Sequence, residues 1–499
     1  MPIQDIETAG NQQPALRSAF KAFVEKNWFA VFAASGLLLI PCFWHREIVS
    51  SDLGSHLYNA WLVQLIHRGE VHGLWIAPLH TNVLFDLLLS ALGSIFRLET
   101  DEKIAVSFSV LTFFWGAFSL IAAAARRPPW FLAPAIAMVT YGWTFHLGLF
   151  NYYLSLGFSF FGVAIAWRGK GLERLAALAL APLILVAHPL GFIWFLAASA
   201  YIWIHEHTRA AGRIVLFLSA AAFLGLLHLF FWRYFQVAAG SRPFYSFNGA
   251  DQLVLFGERY RILARVFLAF AIASLSIDII RPGHENTLWK KYSVPLELYA
   301  LTGAGVLLLP GAVGSALTTA PIALLTERLT SVSAVLGFCL LGVMRLSRWH
   351  FVGFAAVAVI FFSFVYRDTA IVNKMESQID RLVRTIPSNS RVLATLEPPP
   401  GSRILLHHLI DRACIGRCFS YGNYEPGAAV FRVRATPGNP YVLDSYDEAI
   451  DVQNGGYIVQ PRDLPVYQVY QCSETGTDLC IRPLTAGEEN DRLGVHPDN

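Results

Sequence analysis

The sequence predicts a polytopic α-helical membrane protein of about eleven transmembrane helices that ends in a small extracytoplasmic α/β domain. Three observations predict it. Of 499 residues, 55% are hydrophobic and 15% charged, where a soluble domain carries roughly 25% charged residues. Apolar runs recur along the first 366 residues, several of them bounded by Trp, as interfacial belts are. Beyond them the chain turns polar: residues 367–499 hold 13 Lys and Arg against 17 Asp and Glu, leaving +7 on the rest. Neither part has the basic patch of a nucleic-acid binder.

A bilayer core of about 30 Å takes about 20 apolar residues as helix, fewer where the flanks snorkel. Windows that fit run Trp28 to Trp44, Ile104 to Ala124, Trp130 to Leu147, Tyr152 to Trp167, Leu175 to Ala187, Leu190 to Ile204, Ile214 to Trp232, Ile262 to Ile280, Ser293 to Pro310, Leu329 to Met344 and Phe351 to Val365. The segment before Trp28 has no apolar run, so the first span rather than a cleaved signal peptide is the expected insertion signal. Residues 1–27 are then a cytoplasmic leader.

Asn82 to Leu98 is apolar but short and contains Asp86, Ser90 and Arg97. If it stays out of the bilayer, six basic segments share the cytoplasmic side: Arg17 to Lys26, Arg126-Arg127, Arg168 to Arg174, Arg209 to Arg213, Arg281 to Lys291, and Arg345 to Arg348. The positive-inside rule favours that arrangement, so the segment is read as an interfacial or re-entrant helix. Residues 45–103, 233–261 and 311–328 then face outwards. In the first of these, Leu53, Leu57, Trp61, Leu62, Leu65 and Ile66 form a helical stripe opposite Ser55, Asn59 and Gln64, the pattern of a helix lying on the membrane surface.

In the tail, an amphipathic helix is expected over Ile371 to Thr385, followed by turns and short alternating strands such as AVFRVRA and YIVQ. Cys414, Cys418, Cys472 and Cys480 all lie there, whereas Cys42 and Cys339 sit in apolar runs. Neither tail pair has the usual two-residue spacing of zinc ligands. Local disulfides, Cys414 with Cys418 and Cys472 with Cys480, are expected, together with an oxidising compartment.

Candidate chemistry gathers at the outer ends of the spans. Asp52, in HREIVSSDLGSHLYNAWL, follows the first span and precedes the amphipathic helix. A carboxylate there has two readings: a helix N-cap, or a base acting at the membrane surface. His56 lies one turn on, where it can orient that carboxylate or contact an acceptor. Asp86 lies in an otherwise apolar helix, His188-Pro189 in an outer turn, and Arg328 beside Glu327 at the entrance of the tenth span. Arg242, Arg259 and Arg261 follow the seventh span. Each arginine is either an interfacial snorkelling residue or an anion contact.

With SSDLGSHLYNAWL, TNVLFDLLLSALGSIF and HLGLFNYYLSLG in these positions, residues 20–366 resemble the GT-C superfamily of integral membrane glycosyltransferases. The likeness lies in a cytoplasmic N-terminus, many spans, a long first external loop with surface helices and an outer soluble domain. It implies that Asp52 is the base that activates an acceptor, with His56 beside it. It also implies a sugar donor carried on a polyprenyl phosphate, whose leaving phosphate meets outward basic residues, Arg328 first. Asn151, His188, Glu327, Asp86, Arg242, Arg259 and Arg261 complete the expected substrate-binding set. Membrane lipids and an extracytoplasmic lipid, glycan or protein acceptor are the implied partners, in a multi-pass inner-membrane setting. No cofactor is expected. The divalent metal used by several relatives is not favoured, because the turn offers Asn151 and the first loop Asp52-Leu53 in place of a carboxylate pair. The alternative is a polytopic transporter or lipid flippase, which needs ionisable residues mid-span and paired broken helices that the sequence does not display. A third reading makes the tail a partner-binding module on a membrane scaffold.

The orientation is testable. A cysteine placed at residue 127 is expected to resist impermeant thiol reagents in intact cells; labelling there would reverse the assigned sides.

Overall fold

A computed structural model of the chain describes residues 16–239, 246–280, 285–314, 320–345, 347–398, 401–472 and 477–491. Arg242 lies outside them. Each predicted window falls mainly on helix, two of them in two pieces. They are α1 (Leu16–Phe43), α4 (Leu98–Ala125), α5 (Ala133–Thr140) with α6 (Trp143–Leu147), α7 (Phe150–Arg168), α8 (Leu172–Ala179) with α9 (Ala181–Ala187), α10 (Pro189–His207), α11 (Ala210–Tyr234), α12 (Glu258–Ile280), α13 (Glu285–Leu308), α14 (Leu325–Val343) and α15 (Arg348–Val383). Between α1 and α4 come α2 (Leu53–Arg68), β1 (Leu74–Ile76) and α3 (Leu84–Leu92).

The protein is mainly helical, and among the described residues seven helices are long and apolar enough to cross a membrane: the apolar part of α1, then α4, α7, α11, α12, α14 and α15. Two predicted windows are broken. Gly142 separates α5 from α6, and Leu180 falls between α8 and α9 just ahead of Pro182; proline supplies no N–H to a continuing helix. At 9 residues, α3 is about 14 Å long, half the thickness of the bilayer core.

The helices pack around α4 and α7, which approach at glycines. A Cβ on Gly116 would stand 2.3 Å from the Gly157 carbonyl oxygen, and one on Gly157 would stand 2.9 Å from Phe113 N. Small residues let membrane helices meet backbone to backbone, which matters where lipid supplies no hydrophobic drive between helices. Around this contact Val110, Phe113, Tyr153, Phe160 and Val335 are fully buried. At the other extreme, α11 has no buried residue and is apolar all round, as a helix facing lipid would be.

Outside the bundle, β2 (Gln236–Ala238) pairs antiparallel with β3 (Ala312–Gly314). The C-terminal segment then adds β4 (Arg391–Thr395), α16 (Leu409–Cys414), β5 (Phe419–Ser420), β6 (Val433–Ala435), α17 (Tyr446–Asn454), β7 (Val466–Gln471) and β8 (Leu479–Leu484). Its sheet runs β5-β4-β7-β8, with β4 parallel to both neighbours and β7 antiparallel to β8. Disulfides join Cys414 to Cys418 and Cys472 to Cys480.

Three features differ from the sequence expectations. The helix expected over 371–385 is the C-terminal part of α15, which runs 36 residues without a break because YRDTA contains neither Gly nor Pro. The segment YIVQ contributes only a single bridge, Ile458 to Glu489. Most important, α2 is not a surface helix with a solvated polar face. Its polar Ser55 and Asn59 are as buried as Leu53 and Leu57, because the C-terminal segment covers them. Leu62 and Val63 share a core with Val372, Ile379, Leu406 and Val469, and β1 pairs with β6. First loop and tail therefore fold against each other.

Gly157→Leu is expected to force α4 from α7 and lower stability by about 1–3 kcal/mol, the range for overpacked cores. Thermal unfolding in detergent reads this; an unchanged midpoint would mean the close crossing is not needed.

Candidate functional site

The turn between α6 and α7 sets the position of Asp52. Ser50 Oγ donates to Phe145 O at 2.7 Å, Ser51 N to His146 O at 2.8 Å and Asp52 N to Leu147 O at 3.1 Å. Gly148 closes that turn at φ +89°, and a Cβ there would stand 2.6 Å from Asp52 N, so both the left-handed conformation and the contact require glycine. From the other side, a Cβ on Gly54 would stand 2.2 Å from the His408 carbonyl oxygen. Asp52 thus sits in a backbone clasp between the membrane bundle and α16.

Asp52 has the N-cap position of α2, yet its side chain makes no capping hydrogen bond. It turns instead into a cavity of about 290 Å³, which Asp86, Asn151, Tyr152, His188, Arg328 and His408 also line. His408 Nε2 lies 3.9 Å from Asp52 Oδ1, and His408 Nδ1 lies 2.7 Å from Asp411 Oδ2. Burial pushes the Asp52 carboxyl above its ordinary range, while His408, His56 and Arg328 pull it down.

His56 does not bond Asp52. Its Nδ1 lies 2.7 Å from Asp86 Oδ1 and its Nε2 3.2 Å from the Gly148 carbonyl, which uses both nitrogens. Asn151 donates to Asp86 Oδ2 at 2.8 Å and accepts from Phe85 N at 2.7 Å. Burial opposes charge on His56, but Asp86 outweighs it and raises the imidazole to about 9. In the same way burial opposes charge on His408, and Asp411, Asp52 and Glu425 raise it to about 9. Burial also raises Glu425, which accepts from Ser55 Oγ at 2.7 Å, to about 7.

Arg328 stands in the first turn of α14. Its Nη1 is 3.1 Å from His188 Nε2, its guanidinium lies 5.8 Å from the Tyr152 ring centre, and its buried Nε has no hydrogen-bond partner. Among the described residues no carboxylate lies within ion-pair distance of it. Leu324, at φ +60°, delivers the chain into α14, and Asn82, at φ +58°, lines the same cavity. Such backbone costs of order 1–3 kcal/mol for a residue like leucine and tends to collect at functional sites.

The structure therefore gathers Asp52, His56, Asp86, Asn151, His188 and Arg328 around one cavity. It does not bring Arg259 or Arg261 there. Arg259 is paired with Asp368 and Arg261 with Glu258 at 2.9 Å, so their charges are committed at the start of α12. Glu327 accepts from Thr326 Oγ1 and is not among the cavity's lining residues. Sequence reasoning missed His408, Tyr424, Glu425 and Arg432, which the tail contributes. The His408-x-x-Asp411 spacing, one helical turn, was the available signal.

Among the described residues no group of three or more His, Cys, Asp or Glu side chains is arranged to hold a metal ion. The cavity carboxylates turn to histidines or hydroxyls and not to one another, so a divalent ion finds no paired carboxylates. The arrangement can instead take a proton at Asp52 and hold an anion at Arg328. No known family model, curated protein or solved structure matches the chain.

The histidine pairings set a pH dependence. Both imidazoles have folded values above the ordinary one, so their stabilisation is complete below about pH 6.5 and is lost as pH rises through about 9. His56→Gln is expected to cost about 1.5–3 kcal/mol at the low end, the range for a charge-assisted hydrogen bond. The gap to wild type should close above pH 9. A gap independent of pH would remove the imidazolium from the account.

Proposed function

We propose that the protein is a membrane glycosyltransferase that moves a sugar from a polyprenyl-phosphate donor to the hydroxyl of an extracytoplasmic acceptor. One observation carries the reading: an uncapped carboxylate, Asp52, and a guanidinium without a carboxylate partner, Arg328, line the same cavity. These are the two groups that such a transfer needs, a proton acceptor and an anion contact.

In the proposed reaction the acceptor oxygen attacks the anomeric carbon as its proton passes to Asp52. The bond from that carbon to the phosphate oxygen breaks, and polyprenyl phosphate leaves with the electron pair. Attack opposite the leaving group inverts the anomeric centre. Arg328 meets the negative phosphate, and His188 and Tyr152 hold the guanidinium in place. Charge stabilisation of this kind acts strongly where water is excluded.

The same reading assigns a topology. The shorter helices α5 with α6, α8 with α9, α10 and α13 complete about eleven crossings. The N-terminus is cytoplasmic, α3 is interfacial, and the cavity and C-terminal segment face the outside of a cell membrane.

Release of polyprenyl phosphate from a labelled donor, in membranes carrying the protein, tests the assignment. Asp52→Asn is expected to lower the rate per folded molecule by about 10² to 10⁴, the range for loss of a general base. Asn caps a helix as well as Asp does, so the fold should hold. A normally folded Asp52→Asn protein that keeps more than about a tenth of wild-type rate lies outside that range and returns Asp52 to a structural part.

A further inference from the structure

The cavity is lined both by the first loop and the bundle and by the C-terminal segment, more than 300 residues from Asp52, and that segment brings His408 to within 3.9 Å of Asp52. His408 precedes α16, and its position is fixed on every side. Its carbonyl oxygen packs where a Cβ of Gly54 would stand. Ser51 Oγ accepts from Leu405 N at 2.9 Å just upstream, and Arg412, one turn downstream, is bound to Glu47, Glu102 and Glu376. Asp411 takes His408 Nδ1 with one oxygen and the Ser420 hydroxyl with the other. That leaves His408 Nε2 free to point at Asp52, 3.9 Å away. The His408 side chain is 5% exposed and that of Asp411 2%, so water does not screen the bracing pair, while the Asp52 side chain is 23% exposed, on the cavity.

We propose that His408, braced by Asp411, is a positioning residue for Asp52, so that the C-terminal segment supplies part of the site and the site is complete only when that segment is docked. The inference rests on the transferase reading for what Asp52 does, but not for whether the two side chains are coupled.

The reasoning is electrostatic and geometric. A buried carboxylate is pushed towards its neutral form, which cannot accept a proton. An imidazolium beside it keeps it charged and limits its rotation. His56 adds its charge from a distance but cannot hold the carboxylate in place, since both its nitrogens are engaged by Asp86 and Gly148. The charged and titratable groups that face His408 are Asp411 on α16, Asp52 from the first loop, and Tyr424 and Glu425 from the loop after β5. Asp411 and Asp52 hold the proton on His408. Glu425 supports that proton, while His56 and Arg328 act on Asp52 itself and help keep it ionised.

The test uses the full chain in nanodiscs with ¹³C-labelled histidine, the His408 resonance being assigned by its loss in His408→Gln. The His408 titration midpoint is expected to fall by at least about one pH unit in Asp411→Asn and also in Asp52→Asn, as for loss of a close opposite charge. Asp52→Asn leaves the tail's own contacts in place, so it reads the coupling even where a tail variant fails to fold. An unmoved midpoint in folded Asp52→Asn overturns the proposal, whatever the enzyme does. Transfer kinetics supply the second arm. His408→Gln is expected to lower kcat at least about tenfold with a smaller change in donor KM, and to move the acid limb of the rate profile upwards. Asp411→Asn should draw the alkaline limb to lower pH. A purely structural role predicts lower rates with both limbs unmoved, and that result would overturn the proposal. If wild type transfers no sugar from any polyprenyl-phosphate donor, the transferase reading fails while the titration still decides the coupling.

Discussion

A largely buried guanidinium, that of Arg412, seats α16 of the C-terminal segment against the helices of the bundle. Arg412 on α16 reaches Glu47 after α1 at 3.3 Å, Glu102 on α4 at 3.3 Å and Glu376 on α15 at 3.1 Å, and donates to the Ile48 carbonyl at 3.2 Å. The Glu102 side chain is 2% exposed and that of Arg412 10%. Removing such charges from water costs several kcal/mol per ion, which mutual attraction offsets only where geometry and hydrogen bonding are good. Net stability is therefore a poor account of why the cluster exists. Registry is a better one: α16 fits in one place, because displacing it by a turn would leave Glu102 and Glu376 buried without their cation, Glu47 keeping Arg46.

That registry reaches the cavity in a few bonds. Glu102 also accepts from Ile48 N at 2.9 Å, which fixes the chain four residues before Asp52. His408 lies one turn before Arg412 on the same helical segment, so the clamp that seats α16 also sets the distance from His408 to Asp52. The backbone clasp from Phe145, His146 and Leu147 fixes the other side. Asp52 is thus located by main-chain contacts from three regions rather than by its own side-chain bonds, and its carboxylate stays available.

Much of this fold could be read from the sequence because hydropathy is a local property. Seven of the predicted spans coincide with helices long and apolar enough to cross a membrane, among the described residues, since the bilayer constraint acts on about 20 residues at a time. The broken windows at Gly142 and Leu180 were less legible, because apolar content continues through them. Among the candidate residues, Asp52, His56, Asp86, Asn151, His188 and Arg328, which line one cavity, were legible because polar residues at the ends of apolar runs are conspicuous. Arg259 and Arg261 drew attention for the same reason but lie away from that cavity. Their partners, Asp368 and Glu258, are revealed only by folding. The tail's part was hidden for a deeper reason. The stripe of α2 shows an apolar and a polar face, and from the sequence the polar face belongs to water. Burial of Ser55 and Asn59 under Glu425 and Asn423 is a long-range pairing, with Asn423 Nδ2 donating to Asn59 Oδ1 at 3.1 Å, and no local pattern encodes it.

The distribution of charge inside the cavity gives these contacts a common sense. Asp86 is matched to His56 and Asp411 to His408, each at 2.7 Å, and Glu425 is held by the Ser55 hydroxyl. Arg432 is held by the Ser90 hydroxyl at 2.8 Å, whereas among the described residues Asp52, 3.9 Å from His408 Nε2, and Arg328, whose neighbours are a histidine and an aromatic ring, have no such anchor. Opposite charges left apart in a low-dielectric space would lower their energy by closing on each other. Here the clasp on Asp52, with His188 and Tyr152 around Arg328, opposes that collapse. The space kept open between them is polar at both ends, basic at Arg328 and acidic at Asp52. A ligand that brings an anion to one end and a hydroxyl to the other satisfies both groups at once, which neither a purely apolar lipid nor a simple cation would do.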